Sequence, residues 1–281
     1  MNKNRNIALI GCGYWGTILA NNLLNFGIKN LYIYDFNKKN SEALKKKFKK
    51  VIIKNSYENL LKDESINIFF FATPPTKNFL LIKKAIENNK NIFLEKPGFK
   101  RISDFYKIKK IKMNNKILMF GYVYCYNDYI KYIKKIINKK DLGKILHINF
   151  QRQNLGPIRN DVQVAEDLSS HDLSIILNIF KKLPKVIYHN KYSILKKKIS
   201  DISNLHMKLN GSFIDINNTW LSPTKIRRIT IIGSKKMLLF DEMDLLNPIK
   251  IYNKYAVYPK IEDFKKSFFQ KKALIYEGKV N

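Results

Sequence analysis

Cysteine is nearly absent from this 281-residue chain, which holds only Cys12 and Cys125, far apart and in no CxxC pair. That excludes a disulfide framework and fits a reducing compartment. Histidine is scarce as well. The four, His147, His171, His189 and His206, lie at no metal-ligand spacing, and no HExxH occurs, so no metal site is expected. No apolar run reaches the roughly 18 residues of a membrane span. The first ten residues run straight into a strand-like segment, without the apolar core and small-residue cleavage site of a secretory signal. The expected setting is cytoplasmic, with no membrane partner.

Acidic residues are few, 22 against 53 lysines and arginines, for a formal charge of +31. Arginine is rarer still: Arg5, Arg101, Arg152, Arg159, Arg227 and Arg228 are the only six. Side chains that read base edges favour arginine. The lysines are spread along the whole chain, which reads as solvated faces, and no nucleic-acid partner is expected. A diffuse positive field still raises the on-rate of anionic ligands.

What is present is globular: 45% hydrophobic and 13% aromatic residues. Up to about residue 120 the pattern alternates strand and helix. Strands are expected at Asn6–Ile10, Leu31–Tyr34, Val51–Ile53, Ile66–Thr73, Asn91–Glu95 and Ile117–Gly121. Helices are expected at Tyr14–Phe26, Asn40–Phe48, from a Thr76 cap to Asn88, and after Ser103. Repeated βα units of this length imply a parallel sheet covered on both faces. Beyond residue 120, helices are expected at Tyr129–Ile137 and Asp167–Phe180, with a strand at Ile145–Gln151 between them. From Lys185 to Tyr258 apolar and polar residues alternate, and Asn210-Gly211 marks a hairpin. The expected architecture is α/β: a doubly wound parallel-sheet domain over 1–120, then an α+β domain with a mostly antiparallel sheet over 121–281.

Gly11-Cys12-Gly13-Tyr14-Trp15-Gly16 is a GxGxxG turn between a strand and a helix. The first glycine permits the tight turn, the second lets a pyrophosphate approach the backbone, and the third allows close helix–sheet packing. Helix-terminal N–H groups then face the phosphates. Asp35 ends the second strand 19 residues beyond Gly16, where an acid binds ribose hydroxyls and repels a 2′-phosphate. NAD is therefore expected over NADP, with Lys38 and Lys39 softening the preference.

Further motifs follow in a set order. They are Phe69-Phe70-Phe71-Ala72-Thr73-Pro74-Pro75, Asn91-Ile92-Phe93-Leu94-Glu95-Lys96-Pro97, Gly121-Tyr122, Tyr126-Asn127 and Asp167-Leu168-Ser169-Ser170-His171-Asp172. Together they resemble the Gfo/Idh/MocA oxidoreductases over nearly the whole chain. The resemblance implies that Thr73, Pro74, Glu95 and Lys96 join Gly11, Gly13, Tyr14, Trp15, Gly16 and Asp35 around the cofactor. It implies that Lys96 reaches the reacting hydroxyl, often before a cis proline. It makes His171 the general base, a role suited to a group that titrates near neutrality. Asp167, one helical turn earlier, binds substrate or orients the histidine. Tyr126 joins the substrate residues.

The segments from Gln151 to Val162 and from Trp220 to Arg228 resemble a narrower subgroup, which oxidises the 3-hydroxyl of nucleotide-linked N-acetylamino sugars. Arg152 and Arg159 are then expected to meet sugar or phosphate oxygens in a fork, while Trp220 reads as strand packing. Two departures stand out. The resemblance implies a histidine near Asn78, in the helix after the Pro-Pro turn, which this chain lacks, and the C-terminus at Asn281 is expected to be shortened relative to the family. The expected function is NAD-dependent oxidation of a sugar hydroxyl by a homo-oligomer joined through the C-terminal sheet. The alternative is a non-catalytic NAD-binding sensor or scaffold of the same fold.

Overall fold

The computed structural model describes residues 5–160 and 162–255, and the backbone of 275–276. Asp161 and the end of the alternating stretch, Tyr258 included, lie outside the described residues. The chain divides into two compact units, Met1–Tyr122 and Val123–Asn281.

The first unit runs β1 (Asn6–Ile10), α1 (Tyr14–Asn25), β2 (Asn30–Tyr34), α2 (Lys38–Lys47), β3 (Ile52–Ile53), α3 (Tyr57–Lys62), β4 (Ile66–Phe71), α4 (Pro75–Glu87), β5 (Asn91–Leu94), α5 (Ile102–Lys109) and β6 (Leu118–Phe120). Every strand pair is parallel, in the order β3-β2-β1-β4-β5-β6. The direction of winding reverses between β1 and β4, and open sheets of this order bind ligands beyond the carboxyl ends of the strands there. Alternation along β1 explains the two-sided burial. Ile7 and Leu9 join one apolar cluster with Ala20, Leu23 and Leu44, while Ala8 and Ile10 join the other with Leu60, Leu81, Ile82 and Ile108. Phe69 and Phe71 are fully buried in the second cluster, each contributing about 1.5–3 kcal/mol.

Side-chain caps set two helix starts: Asn37 accepts from Lys39 N in α2, and Ser56 accepts from Asn59 N in α3. The helix expected to begin behind a Thr76 cap begins earlier, with Pro75 inside its first turn and Pro74 at the N-cap. Proline suits that place because its missing N–H has no partner in a first turn and its φ is already helical. One lysine departs from the solvated pattern. Lys90 is 3% exposed, and its ammonium donates to the carbonyls of Asp63 and Ile66 at 2.8 and 2.9 Å.

The second unit opens with a 3₁₀ turn, Val123–Tyr126, followed by α6 (Asp128–Asn138) and β7 (Ile145–Leu155). A wide π turn, Ala165–Ser169, leads directly into α7 (Ser170–Phe180). Then come β8 (Lys185–Tyr192), β9 (Ile202–Leu209), β10 (Ser212–Thr219), β11 (Leu221–Gly233), β12 (Met237–Asp241), β13 (Ile249–Tyr252) and β14 (Ile275–Tyr276). The sheet order is β14-β13-β12-β11-β7-β10-β9-β8. Only β7 and β10 pair in parallel; the other pairs are antiparallel. The expected hairpin joins β9 to β10, with Asn210 at φ 51° and Gly211 at φ 84°, the two positive values a two-residue turn requires.

One face of this sheet is the core. Ile148 and Phe150 of β7, Ile214 and Ile216 of β10, and Ile229 and Ile231 of β11 pack with Ile130, Ile133 and Ile136 of α6 and Ile175, Ile176 and Ile179 of α7. The alternate residues form the outer face, where Tyr188 and Phe213 are 58% and 52% exposed. The α/β reading, with a parallel-sheet domain followed by a mostly antiparallel one, is borne out. Among the described residues no helix is long and apolar enough to cross a membrane.

Candidate active site

In the first unit the turn after β1 is shaped by three glycines with different duties. Gly11 has φ +95°, and a Cβ there meets the Ala72 carbonyl oxygen at 2.6 Å. A Cβ on Gly16 lies 1.9 Å from the Gly11 oxygen. Both glycines are demanded by the protein's own packing. Gly13 is not: its φ of −74° suits any residue, and a Cβ there meets nothing within 4 Å. Neither backbone conformation nor internal packing asks for glycine at Gly13, and the bare surface it leaves suits a ligand that approaches the backbone. Just after it no side chain caps the N-terminus of α1, and its first turn carries no acid, so the first N–H groups suit a phosphate. Tyr14 and Trp15 open that turn at 77% and 49% exposure, with their rings edge to face.

Asp35 lies against the same turn. Its Oδ2 accepts from Cys12 N at 2.7 Å and its Oδ1 from Asn37 N at 2.8 Å. The carboxylate is thus fixed at the end of β2, beside the glycines. The Cys12 thiol is pushed up to about 12, first by burial and then by the Asp35 charge, so it stays a neutral small filler. This set fits a dinucleotide: open backbone for the phosphates and a pinned carboxylate for ribose.

Beyond β4 and β5 two further turns are joined. Asn78, 1% exposed, accepts from the Thr73 hydroxyl and donates to the Gly98 carbonyl, each at 2.5 Å. Asn78 therefore ties the Thr73-Pro74 turn to the turn that follows Lys96. The Lys96–Pro97 bond is cis. Burial raises the Glu95 carboxyl, against the Lys96 backbone hydrogen bond and then the Lys96 charge. A Cβ on Gly121 meets the Glu95 carboxyl oxygen at 3.2 Å, so the end of β6 closes over that residue. Beside Pro97 an apolar cavity of about 390 Å³ is lined chiefly by Phe99, Phe105, Phe120 and Tyr122.

In the second unit Asp167 sits in the π turn and His171 in the first turn of α7; both are half-buried. The expected continuous α-helix thus starts as a wider turn, a form frequent at functional sites. Trp220 supports it from below as packing, 1% exposed, with Val164 and Leu168. Arg159 is ion-paired with Asp167 at 3.4 Å, which brings two of the expected residues together. Tyr126 stands at the end of the 3₁₀ turn, 60% exposed.

Arg152 is placed differently from the expected ligand contact. It points to the inner face of β7, 4% exposed. Its Nε donates to Asp172 Oδ1 at 2.6 Å, and its Nη1 donates to the Tyr124 hydroxyl at 2.8 Å. Burial works to lower the Arg152 pKa, and the charges of Asp172 and Tyr124 outweigh it, so the guanidinium keeps its proton. The Tyr124 hydroxyl in turn donates to Glu242 at 2.8 Å. Burial raises the Tyr124 phenol, against the Arg152 charge and with the Glu242 charge, so it remains a neutral donor. Tyr124 and Glu242 were not singled out by sequence. The signal available was the run Tyr122-Val123-Tyr124-Cys125-Tyr126, which does not say which tyrosine points inward.

Residues 5–122 match the model of an oxidoreductase family with an NAD-binding Rossmann fold. The first unit is thus similar to the NAD-binding domain of the Gfo/Idh/MocA oxidoreductases. Among curated relatives, the uncharacterised oxidoreductase YrbE of Bacillus subtilis is 22% identical over 196 residues, 65% of this chain and 58% of its own length. Matched segments span 39–58% of the lengths of the curated relatives. The fold of both units recurs in solved structures. GenD2 from gentamicin A biosynthesis, solved in complex with NAD, has a TM-score of 0.78 at 14% identity, covering 86% of this chain and 74% of that one. The UDP-N-acetylglucosamine 3-dehydrogenase GnnA of Acidithiobacillus ferrooxidans has a TM-score of 0.75 at 17% identity, covering 94% and 89%.

Proposed function

We propose that the protein oxidises a sugar hydroxyl to a ketone with NAD, the substrate being a nucleotide-linked amino sugar and the reacting group its 3-hydroxyl. The observation that carries the redox reading is the open surface at Gly13 beside the fixed Asp35 carboxylate, in a unit that also presents Lys96 just beyond β5. NAD, when bound, supplies the acceptor for the hydride that leaves the carbinol carbon. In this reading His171 takes the hydroxyl proton as general base. Lys96 places its ammonium against the oxygen as negative charge develops there. Asp167, paired with Arg159, holds substrate hydroxyls, and Arg159 serves the sugar or phosphate oxygens. The substrate class is supported by the names of two structural neighbours, a UDP-N-acetylglucosamine 3-dehydrogenase and a protein of gentamicin A biosynthesis.

The test is titration with NAD and NADP, followed by turnover of UDP-N-acetylglucosamine by the unmodified protein and by His171→Ala. NAD is expected to bind more tightly than NADP, because Asp35 repels a 2′-phosphate. His171→Ala is expected to cut turnover by about 10²–10⁴-fold and to leave NAD affinity unchanged. Near-full turnover by that variant, or tighter binding of NADP, overturns the reading.

We also propose that the outer face of the second sheet joins copies of the chain, since Tyr188, Tyr192 and Phe213 leave it partly apolar. Sedimentation as a clean monomer at micromolar concentration counts against this.

A further inference from the structure

Four elements of the second unit meet around one ring. Tyr124 comes from the 3₁₀ turn, Arg152 from β7, Asp172 from the first turn of α7, and Glu242 from just beyond β12. The Arg152 guanidinium carbon lies 4.2 Å from the centre of the Tyr124 ring. The hydroxyl of that ring accepts from Arg152 and donates to Glu242, each at 2.8 Å. Both of its hydrogen-bonding roles are filled, so the ring cannot turn without breaking a charge-assisted bond. Against this fixed ring stands the imidazole of His171, with centroids 5.2 Å apart and planes at 69°, edge to face. Arg152 also holds Asp172, the residue next to His171, at 2.6 Å and 1% exposure. One arginine therefore fixes both the backbone turn that carries His171 and the ring on which His171 rests.

We infer that Tyr124 is a positioning residue for His171, and that Arg152 and Glu242 hold it in place through its hydroxyl. The inference rests on His171 acting as the general base. A base must lie within hydrogen-bond reach of the proton it takes, and a displacement of about 1 Å costs on the order of 10²-fold in rate. A ring locked at its hydroxyl removes the side-chain freedom by which an imidazole leaves that position. Tyr124 touches no reacting atom in this scheme, so its removal acts on turnover through the histidine alone.

Tyr124→Phe keeps the ring and removes both hydroxyl bonds; Tyr124→Leu removes the ring. Two measurements are made on each full-length variant. The first is the imidazole NMR resonance of His171, assigned by its loss in His171→Ala, which reports the ring current of Tyr124 whether or not the protein turns over. The second is kcat and KM with UDP-N-acetylglucosamine and NAD. For Tyr124→Phe the resonance is expected to move and kcat to fall about tenfold, with KM within about twofold. For Tyr124→Leu the resonance is expected to move further and kcat to fall about 10²-fold. If Tyr124→Leu does not fold, Tyr124→Phe decides alone. An unmoved resonance in Tyr124→Phe overturns the positioning role whatever the rate does, and a moved resonance with unchanged kcat overturns its relevance to catalysis. If His171→Ala itself retains turnover, the general-base reading fails. The resonance then still tells whether Tyr124 seats the histidine.

Discussion

The two units place their candidate functional groups by opposite means. In the first, the site is bare backbone. Gly11, Gly13 and Gly16 leave the backbone of the turn after β1 open, and Asp35 is fixed by two neighbouring N–H groups. In the second, the site rests on long side chains that cross the interior. Asp172, Arg152, Tyr124 and Glu242 form a continuous chain of hydrogen bonds beside His171, buried at Asp172 and Arg152 and half-buried at Tyr124 and Glu242. A phosphate is a diffuse anion whose contacts are N–H groups, and a helix start supplies these without side chains. A proton acceptor must sit at one point, and only packing and directed bonds hold an imidazole there. The contrast follows from the role proposed for each half.

The largest effect expected from that contrast comes from a single methyl group at Gly16. The new Cβ lies 1.9 Å from the backbone oxygen of Gly11, where neither partner has a flexible end to move aside. Gly16→Ala is expected to destabilise the first unit by about 3 kcal/mol or more and to abolish NAD binding. Gly13→Ala is the sharper comparison, because its Cβ meets nothing within 4 Å. Its thermal stability is expected to stay within about 0.5 kcal/mol, while NAD affinity falls by on the order of tenfold or more through loss of close approach to the backbone. Thermal denaturation and NAD titration of both variants check this. If Gly13→Ala binds NAD as well as the unmodified protein, the bare surface has another purpose.

The same contrast explains what could be read in advance. The parallel sheet, the hairpin at Asn210-Gly211 and the glycine turn were legible because each is a local pattern: apolar period, turn chemistry and spacing. The α4 start was misplaced by two residues, because the expected cap was Thr76 when the cap is in fact Pro74 and Pro75 is the first helical position. The π turn before α7 was not legible, since Ala165–Ser169 shows nothing that separates a wide turn from an ordinary one. Arg152 was recognised as an arginine of interest, but its partner could not be. Asp172 lies 20 residues on, and whether an arginine on a strand faces a ligand or the interior depends on which face of β7 is buried. Tyr124 and Glu242 are 118 residues apart, a pairing that no local pattern encodes. Asn78 was visible only as a departure; its bonds to Thr73 and Gly98 required the two turns to be seen side by side.

The smallest expected effect lies on the outer face of the second sheet, away from this chain of hydrogen bonds. Asp215 of β10 accepts from His147 of β7 at 2.8 Å and bonds His206 of β9 at 2.7 Å, and Tyr188 stacks over His206. Burial of Asp215 works to raise its carboxyl, but the hydrogen bonds and charges of the two histidines outweigh it and hold the carboxyl below its usual value. A carboxyl whose folded pKa is lowered stabilises the fold above its unfolded value, about 3.9, and that stability is lost as pH falls through the folded value. Asp215→Asn is therefore expected to melt below the unmodified protein at neutral pH, with the gap closing as pH drops through and below the ordinary carboxylate range. The row is partly exposed, with side-chain exposures of 31%, 30% and 41% for His147, Asp215 and His206. Solvent screening keeps such a contribution below about 1 kcal/mol, or about 3 °C in Tm for a unit of this size. Melting curves of the two proteins from neutral to acid pH measure it. A gap that stays constant over that span shows that Asp215 acts there by shape and not by charge.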